Sequence, residues 1–241
     1  MIGQRRLRLL EPRPVLFPLR EPATAVTSVQ ELARHRRRVT IDHQPLSGVT
    51  PTMLLWWFQN IGGTMTYGNR VVPNYLAWHP IDHIRWELAR PAPLGGAREG
   101  ARFRIVEAFQ GRPEFYIDTT ETVEKLDASG IRLVRRIAGV PVIQLSHTWS
   151  VCTGQTHYVS VLEVGANSAP FAPANRYLTR RRFPLSMAQG WLRHNIEEVG
   201  VLEHILPVAY AARTDPPDPP TPDALPIDSS PGATRGLPLR P

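Results

Sequence analysis

The stretch "PLSMAQGWLRHNIEEVGVLEHILPVAY", Pro184–Tyr210, decides the fold. Its apolar residues recur at helical spacing over several turns, so a helix is expected from about Ser186 to Leu206, stopped by Pro207. Upstream lie segments of strand character: Ala101–Phe109, Glu114–Lys125, Ile131–Ile137 and a long stretch near Val142–Val164. They are separated by "QGRP", "DASG" and "AGVP", which are turn signals. This is a meander of antiparallel strands followed by one long helix. There is no βαβ alternation and no glycine-rich phosphate loop after a strand, which argues against a nucleotide-binding fold. The expected class is α+β, a curved antiparallel sheet gripping a long C-terminal helix, with room between them for a small ligand.

Other segments are read outward from that frame. "TPTMLLWWFQNIG" has a threonine cap, a proline in the first turn and a terminal glycine, and reads as a helix at Pro51–Ile61. The first forty or so residues look irregular, with a short helix at Thr27–Arg37. Residues 1–48 are taken as a small N-terminal extension, 49–211 as the main domain, and 212–241 as a proline-rich tail too poor in apolar residues to order itself.

Composition narrows the function classes. At 241 residues and 42% apolar content the chain holds one good-sized domain. No apolar run is long enough to span a membrane, and the start lacks a secretory h-region, so a soluble cytoplasmic protein is expected. The single cysteine, Cys152, allows no internal disulfide and reads as a buried apolar residue. The net charge of +7 comes from arginine, since Lys125 is the one lysine. Neither arginine cluster, Arg36–Arg38 or Arg180–Arg182, is interleaved with aromatic residues, so no nucleic-acid partner is expected.

The chemistry gathers in two places. On the long helix His194 and Glu198 lie one turn apart, and Glu198 falls between Trp191 and Ile205 inside the apolar stripe. Arg193, Glu197 and His204 fall on the opposite face and are expected to be solvated. A carboxylate on a buried face is costly unless it pairs with an arginine or holds a cation, and His and Glu at i and i+4 can reach one metal ion together. The second place is "YLAWHPIDHIRWE", Tyr75–Glu87, where His79, Asp82 and His83 are all suitable ligands. The strand "RPEFYIDTTETVEK" carries Glu114, Asp118, Glu121 and Glu124, most of them expected in solvent. Glu114, just after Pro113, can face either way. His147 and Tyr158 lie in the long strand stretch, where each is either structural or turned to the cavity.

Taken in order, "LLWWFQNI", "YLAWHPIDH", "RPEFYID", "WLRHNIEE" and "LPVAY" resemble the 2,4-diacetylphloroglucinol hydrolase family, which includes phloretin hydrolases. The resemblance runs from about Thr50 to Tyr210. It implies a Bet v 1-like helix-grip domain and a homodimer supported by the N-terminal region. It also implies a zinc enzyme in which an activated water attacks the acyl ketone and the carbon–carbon bond to a phenolic ring is cleaved. The implied zinc ligands are His83, Glu114, His194 and Glu198. Tyr75 is the implied substrate clamp and the implied substrate is a small acylated polyphenol; a second substrate tyrosine of the family has no unambiguous match, and Tyr158 or His147 is the candidate to assist. An asparagine of the family falls on Trp86 here, a departure that bears on which phenol is accepted. The same fold also hosts carriers and polyketide cyclases, so a non-hydrolytic protein that binds or cyclises an aromatic polyketide is the alternative.

Overall fold

A computed structural model describes residues 13–213. Along the chain it contains β1 (Val26–Leu32), β2 (Arg36–Asp42), α1 (Pro51–Asn60), β3 (Thr64–Tyr67), β4 (Arg70–Pro73), α2 (Asn74–Trp78) and β5 (His83–Arg90). Then follow β6 (Arg102–Ala108), β7 (Tyr116–Asp127), β8 (Gly130–Ile137), β9 (Val140–Cys152), β10 (Gln155–Val164), α3 (Ala172–Tyr177) and α4 (Leu185–Ala211). Eight strands form one sheet in the order β1-β2-β10-β9-β8-β7-β6-β5, with every neighbouring pair antiparallel. The small hairpin β3–β4 stands apart from it. The expected helix-grip architecture holds: a curved antiparallel sheet and one long C-terminal helix.

Local chemistry explains most boundaries. Thr50 caps α1 by accepting a hydrogen bond from the backbone N–H of Met53, and Pro51 fills the first turn. The long Val142–Val164 stretch folds back on itself at Thr153–Gly154, where both residues have positive φ, as a two-residue hairpin turn requires. Cys152, expected to be buried, is exposed at this turn.

Three expectations need correction. Thr27–Arg37 is not helical: β1 and β2 form a hairpin that joins the main sheet through β10. Residues 26–42 therefore belong to the domain rather than to an extension of it. Valine and threonine at strand spacing in "VTSVQEL" and "RRRVTID" were the overlooked signal. Finally, α4 does not stop at Pro207 but runs on to Ala211 with the proline inside it. A proline removes one backbone donor, and this helix continues past that loss near its end. Of the proposed tail, only residues 212 and 213 are described.

Two apolar clusters flank α4. One packs Met187, Ala188 and Trp191 against Val39, Ile41, Leu162 and Val164. The other packs Val199, Leu202, Ile205 and Leu206 with α1 and with Phe103, Val123 and Trp149. His194 and Glu198 lie on the helix between these two clusters. No helix among the described residues is long and apolar enough to cross a membrane.

Candidate metal centre

Four buried side chains converge where α4 crosses the β5–β6 end of the sheet: His83, Glu107, His194 and Glu198. His83 opens β5, and Glu107 is its direct ladder partner on β6. The other two come from α4, one turn apart. His83 Nε2 lies 3.5 Å from Glu107 Oε1 and 3.4 Å from Glu198 Oε2. His194 Nε2 lies 3.7 Å from Glu107 Oε2 and 3.8 Å from Glu198 Oε2. Donors bound tetrahedrally at zinc distances sit about 3.3 Å apart, so these four are close to the spacing one cation needs.

The surroundings aim these donors. His83 Nδ1 donates to the carbonyl of Tyr75 at 2.6 Å, and His194 Nδ1 donates to Asp82 Oδ2 at 3.0 Å. Both acceptors can only accept, so each imidazole carries a proton on Nδ1 and turns Nε2 toward the centre, where His83 offers a lone pair and His194 offers one on giving up its second proton. His83 Nε2 is fully buried and has no hydrogen-bond partner. A buried orphan of this kind is costly, and a cation satisfies it. The Tyr75 hydroxyl donates to Glu107 Oε1, and the Asn195 amide donates to Glu198 Oε1. The Tyr75 ring also stacks flat on His83, with centroids 3.8 Å apart.

Asp82 is the keystone of this support. Besides His194 it accepts the backbone N–H of Gln110 at 2.9 Å and of Gly111 at 3.0 Å. Burial pushes its carboxyl up, but the bond and charge of His194, the charge of His79 and the Gln110 amide outweigh that. They hold the group below the usual carboxylate range. His79 accepts from the Asp82 amide on Nδ1 and donates from Nε2 to Glu197 at 3.1 Å.

The electrostatics favour a positive charge. Burial disfavours an imidazolium at His194, yet Glu198, Glu107 and Asp82 overcome it and raise the group to about 10. His83 moves the other way, because burial keeps it neutral well below the ordinary histidine value despite Glu107. Two glutamates, the His83 lone pair and a His194 Nε2 whose extra proton a cation would replace form a buried donor set that suits a borderline-soft divalent ion. Such buried clusters of His, Asp and Glu could hold a metal.

Of the expected ligands, His83, His194 and Glu198 come together and Glu114 does not. Pro113 starts a single 3₁₀ turn, Pro113–Phe115, which carries Glu114 to the surface. There its Oε1 pairs with Arg112 at 2.6 Å. Glu107 takes the place that Glu114 was expected to fill. The signal for it lay in "ARFRIVE": Ala101, Phe103, Ile105 and Glu107 alternate toward one face, which puts a carboxylate at an inward position. Glu197, expected in solvent, is buried between His79 and Arg193.

The cluster stands at one wall of a cavity of about 430 Å³ between the sheet and α4. Ile105, Ile117, Leu145, Leu162, Phe183 and Trp191 supply apolar walls, while Glu107, His194 and Glu198 face in. Thr119, Glu121 and Arg135 line it as well. Tyr75, Tyr158 and His147 are not among the lining residues. Tyr75 is committed to Glu107. Tyr158 is wholly buried beside His43 and Trp149, and His147 Nδ1 bonds to Ser160 Oγ at 2.9 Å. Burial keeps the Tyr158 phenol neutral, with the Glu198 charge adding to the effect. Trp86 packs edge-on to Phe103 at 5.0 Å and over Gly62, in the core rather than on the cavity.

No protein-family model and no curated protein matches the chain. Several solved structures are similar at low identity. Ara h 8.0201 is 8% identical with a TM-score of 0.37, over 67% of this chain and 97% of its own. Protein Ms6760 from Mycobacterium smegmatis is 14% identical with a TM-score of 0.42, over 74% and 96%. Major latex-like protein 151 from Panax ginseng is 11% identical with a TM-score of 0.38, over 66% and 97%. Likenesses at this level carry no information about activity.

Proposed function

We propose that this protein is a zinc-dependent hydrolase that cleaves the carbon–carbon bond between an acyl group and a phloroglucinol-type phenolic ring. The observation that carries the proposal is the convergence of His83, Glu107, His194 and Glu198, with both Nε2 atoms aimed inward, at the wall of the cavity between the sheet and α4. The ordered motifs that resemble acylphloroglucinol hydrolases add the reaction class. A zinc ion held by these four residues would supply a water of lowered pKa and a Lewis acid for the acyl carbonyl.

The chain's own residues do the rest. Asp82 and the Tyr75 carbonyl fix the two imidazoles, and the Tyr75 hydroxyl and Asn195 fix the two carboxylates. The apolar walls hold an aromatic ring, and water displaced as it binds strengthens every charge interaction at the cluster. A cavity of about 430 Å³ suits a single substituted ring with a short acyl chain. The alternative, a non-hydrolytic binder or cyclase of aromatic polyketides, drew on Trp86. That indole packs in the core against Phe103 and Gly62, so its position gives the alternative no support.

The test is metal content measured together with product release. Wild-type protein is expected to carry stoichiometric zinc and to release acetic acid, with phloroglucinol from the monoacetylated ring and monoacetylphloroglucinol from the diacetylated one. Glu107→Gln and His194→Ala are expected to lose the metal and the activity, whereas Glu114→Ala keeps both. Full zinc and full turnover in Glu107→Gln would overturn the site.

A further inference from the structure

Glu121 is a carboxyl that the ligand set does not use. It sits on β7, whose inward residues Ile117, Thr119 and Glu121 line the cavity that also holds Glu107, His194 and Glu198. It is 4% exposed. Its Oε1 is at 3.4 Å from Thr119 Oγ1, the weakest of contacts, and its Oε2 has no partner at all. The β6–β7 register pairs Glu121 with Phe103 and Ile117 with Glu107. Glu121 and Glu107 thus share the inner face but stand four residues apart along it, about 13 Å of strand. Glu121 is close enough to feel the charge of Glu107 and is not itself part of the donor cluster.

We propose that Glu121 is the catalytic acid of this cavity, the group that delivers a proton to the ring carbon as the acyl–ring bond breaks. This rests on the hydrolase function proposed above. The hydrolysis consumes one water. A bond forms between the water oxygen and the acyl carbon, and the bond from that carbon to the ring carbon breaks. The electron pair stays on the ring carbon, which takes the proton of Glu121. The proton given up by the water returns Glu121 to its acid form. The products are a carboxylic acid and a ring bearing hydrogen, and nothing is oxidised or reduced.

The environment suits the role. A proton donor must still hold its proton near neutral pH, and burial raises the Glu121 carboxyl to about 7, with the charge of Glu107 adding to it. Opposing this are the Thr119 contact and the charge of Arg135 from β8. Across the cavity α4 contributes His194 and Glu198, and the Tyr75 phenol from α2 also feels the Glu121 charge. The helix α1, which packs against β7, brings no titratable side chain. A carboxyl with a free oxygen, buried in the wall of the cavity that also holds the metal-type cluster and raised toward neutrality, is in the condition a general acid needs.

The experiment compares zinc-loaded wild-type, Glu121→Gln and Glu121→Ala proteins on monoacetylphloroglucinol across pH 5–9. Glu121→Gln is expected to keep its zinc and its KM while kcat falls about 100-fold or more. In wild-type protein kcat is expected to decline as pH rises past the point where Glu121 loses its proton, and this limb should be missing in the variant. Added formate should restore part of the turnover of Glu121→Ala, which a purely structural role would not permit. If wild-type protein turns over and Glu121→Gln matches it within threefold at every pH, the role of Glu121 falls and the hydrolase stands. If zinc-loaded wild-type protein releases no product, the hydrolase proposal falls and takes this role with it.

Discussion

Replacing Asp82 with asparagine tests whether the centre is held from outside its ligands. Asp82 is 1% exposed and accepts three hydrogen bonds, from His194 Nδ1 and from the amides of Gln110 and Gly111. Asparagine keeps the shape but replaces one oxygen with a donor. If the amide oxygen takes the Oδ2 place, it serves His194 and Gln110, and its NH₂ then faces the Gly111 N–H. In the flipped orientation it serves Gly111 and leaves two donors opposed. One or two buried N–H groups lose their acceptor either way, at about 1–3 kcal/mol each. His194 also loses a charged partner that fixes its tautomer, and such losses weaken metal binding about 10–100-fold, or about 1.4–2.7 kcal/mol. The assays are competition for zinc against a chromophoric chelator at pH 7.5 and urea unfolding of the same samples. The expected result is a clear loss of zinc affinity with the four ligands intact and the fold retained. A zinc Kd within twofold of wild type would refute the inference that Asp82 orients His194 as a ligand.

Two further predictions concern stability. Glu121 keeps its proton up to about pH 7 in the fold but loses it near 4.5 when unfolded, so the native state binds the extra proton in that window. Stability is then lost as pH rises from about 4.5 to about 7. A shift of that size corresponds to about 3 kcal/mol, so Glu121→Gln should be more stable than wild type at pH 8 and about equal to it at pH 4. Urea midpoints of the two proteins at these pH values check this, and equal midpoints at pH 8 would count against a buried, cavity-facing carboxyl. At the β7–β8 turn, Gly130 has φ +156° and an added Cβ would meet the His147 carbonyl oxygen at 2.3 Å. Backbone cannot yield as a flexible side chain does, so Gly130→Ala should cost about 2–3 kcal/mol, read as a lower urea midpoint.

The local alphabet of the chain was legible wherever one residue's chemistry decides. Thr50 and Pro51 announce α1, and the turn signals at Gln110–Pro113 and Asp127–Gly130 bound the meander. The i, i+4 spacing of His194 and Glu198 placed both on one side of α4. His83 stood out from His79 through the resemblance. In the structure it is His83 Nε2 that faces the centre, while His79 is tied up with Glu197 and the Asp82 amide. Other positions were harder to read. Glu114 and Glu121 sit in one acidic segment, most of whose carboxylates were expected in solvent; Glu114 was left open locally and became a ligand only through the resemblance. Only the 3₁₀ turn at Pro113 and the pleat of β7 turn Glu114 out and Glu121 in.

By itself the sequence determined α1, the β6–β10 meander, the long C-terminal helix and the residue types able to hold a cation, because caps, turns and period depend on neighbours within a few positions. The tertiary structure alone decided which glutamate completes the cluster. Glu107 is paired with His83 by the β5–β6 register, and Asp82 reaches His194 across 112 residues of chain. Register and helix docking are set by burying two apolar clusters around α4, and that packing is a property of the whole sheet that no local window contains.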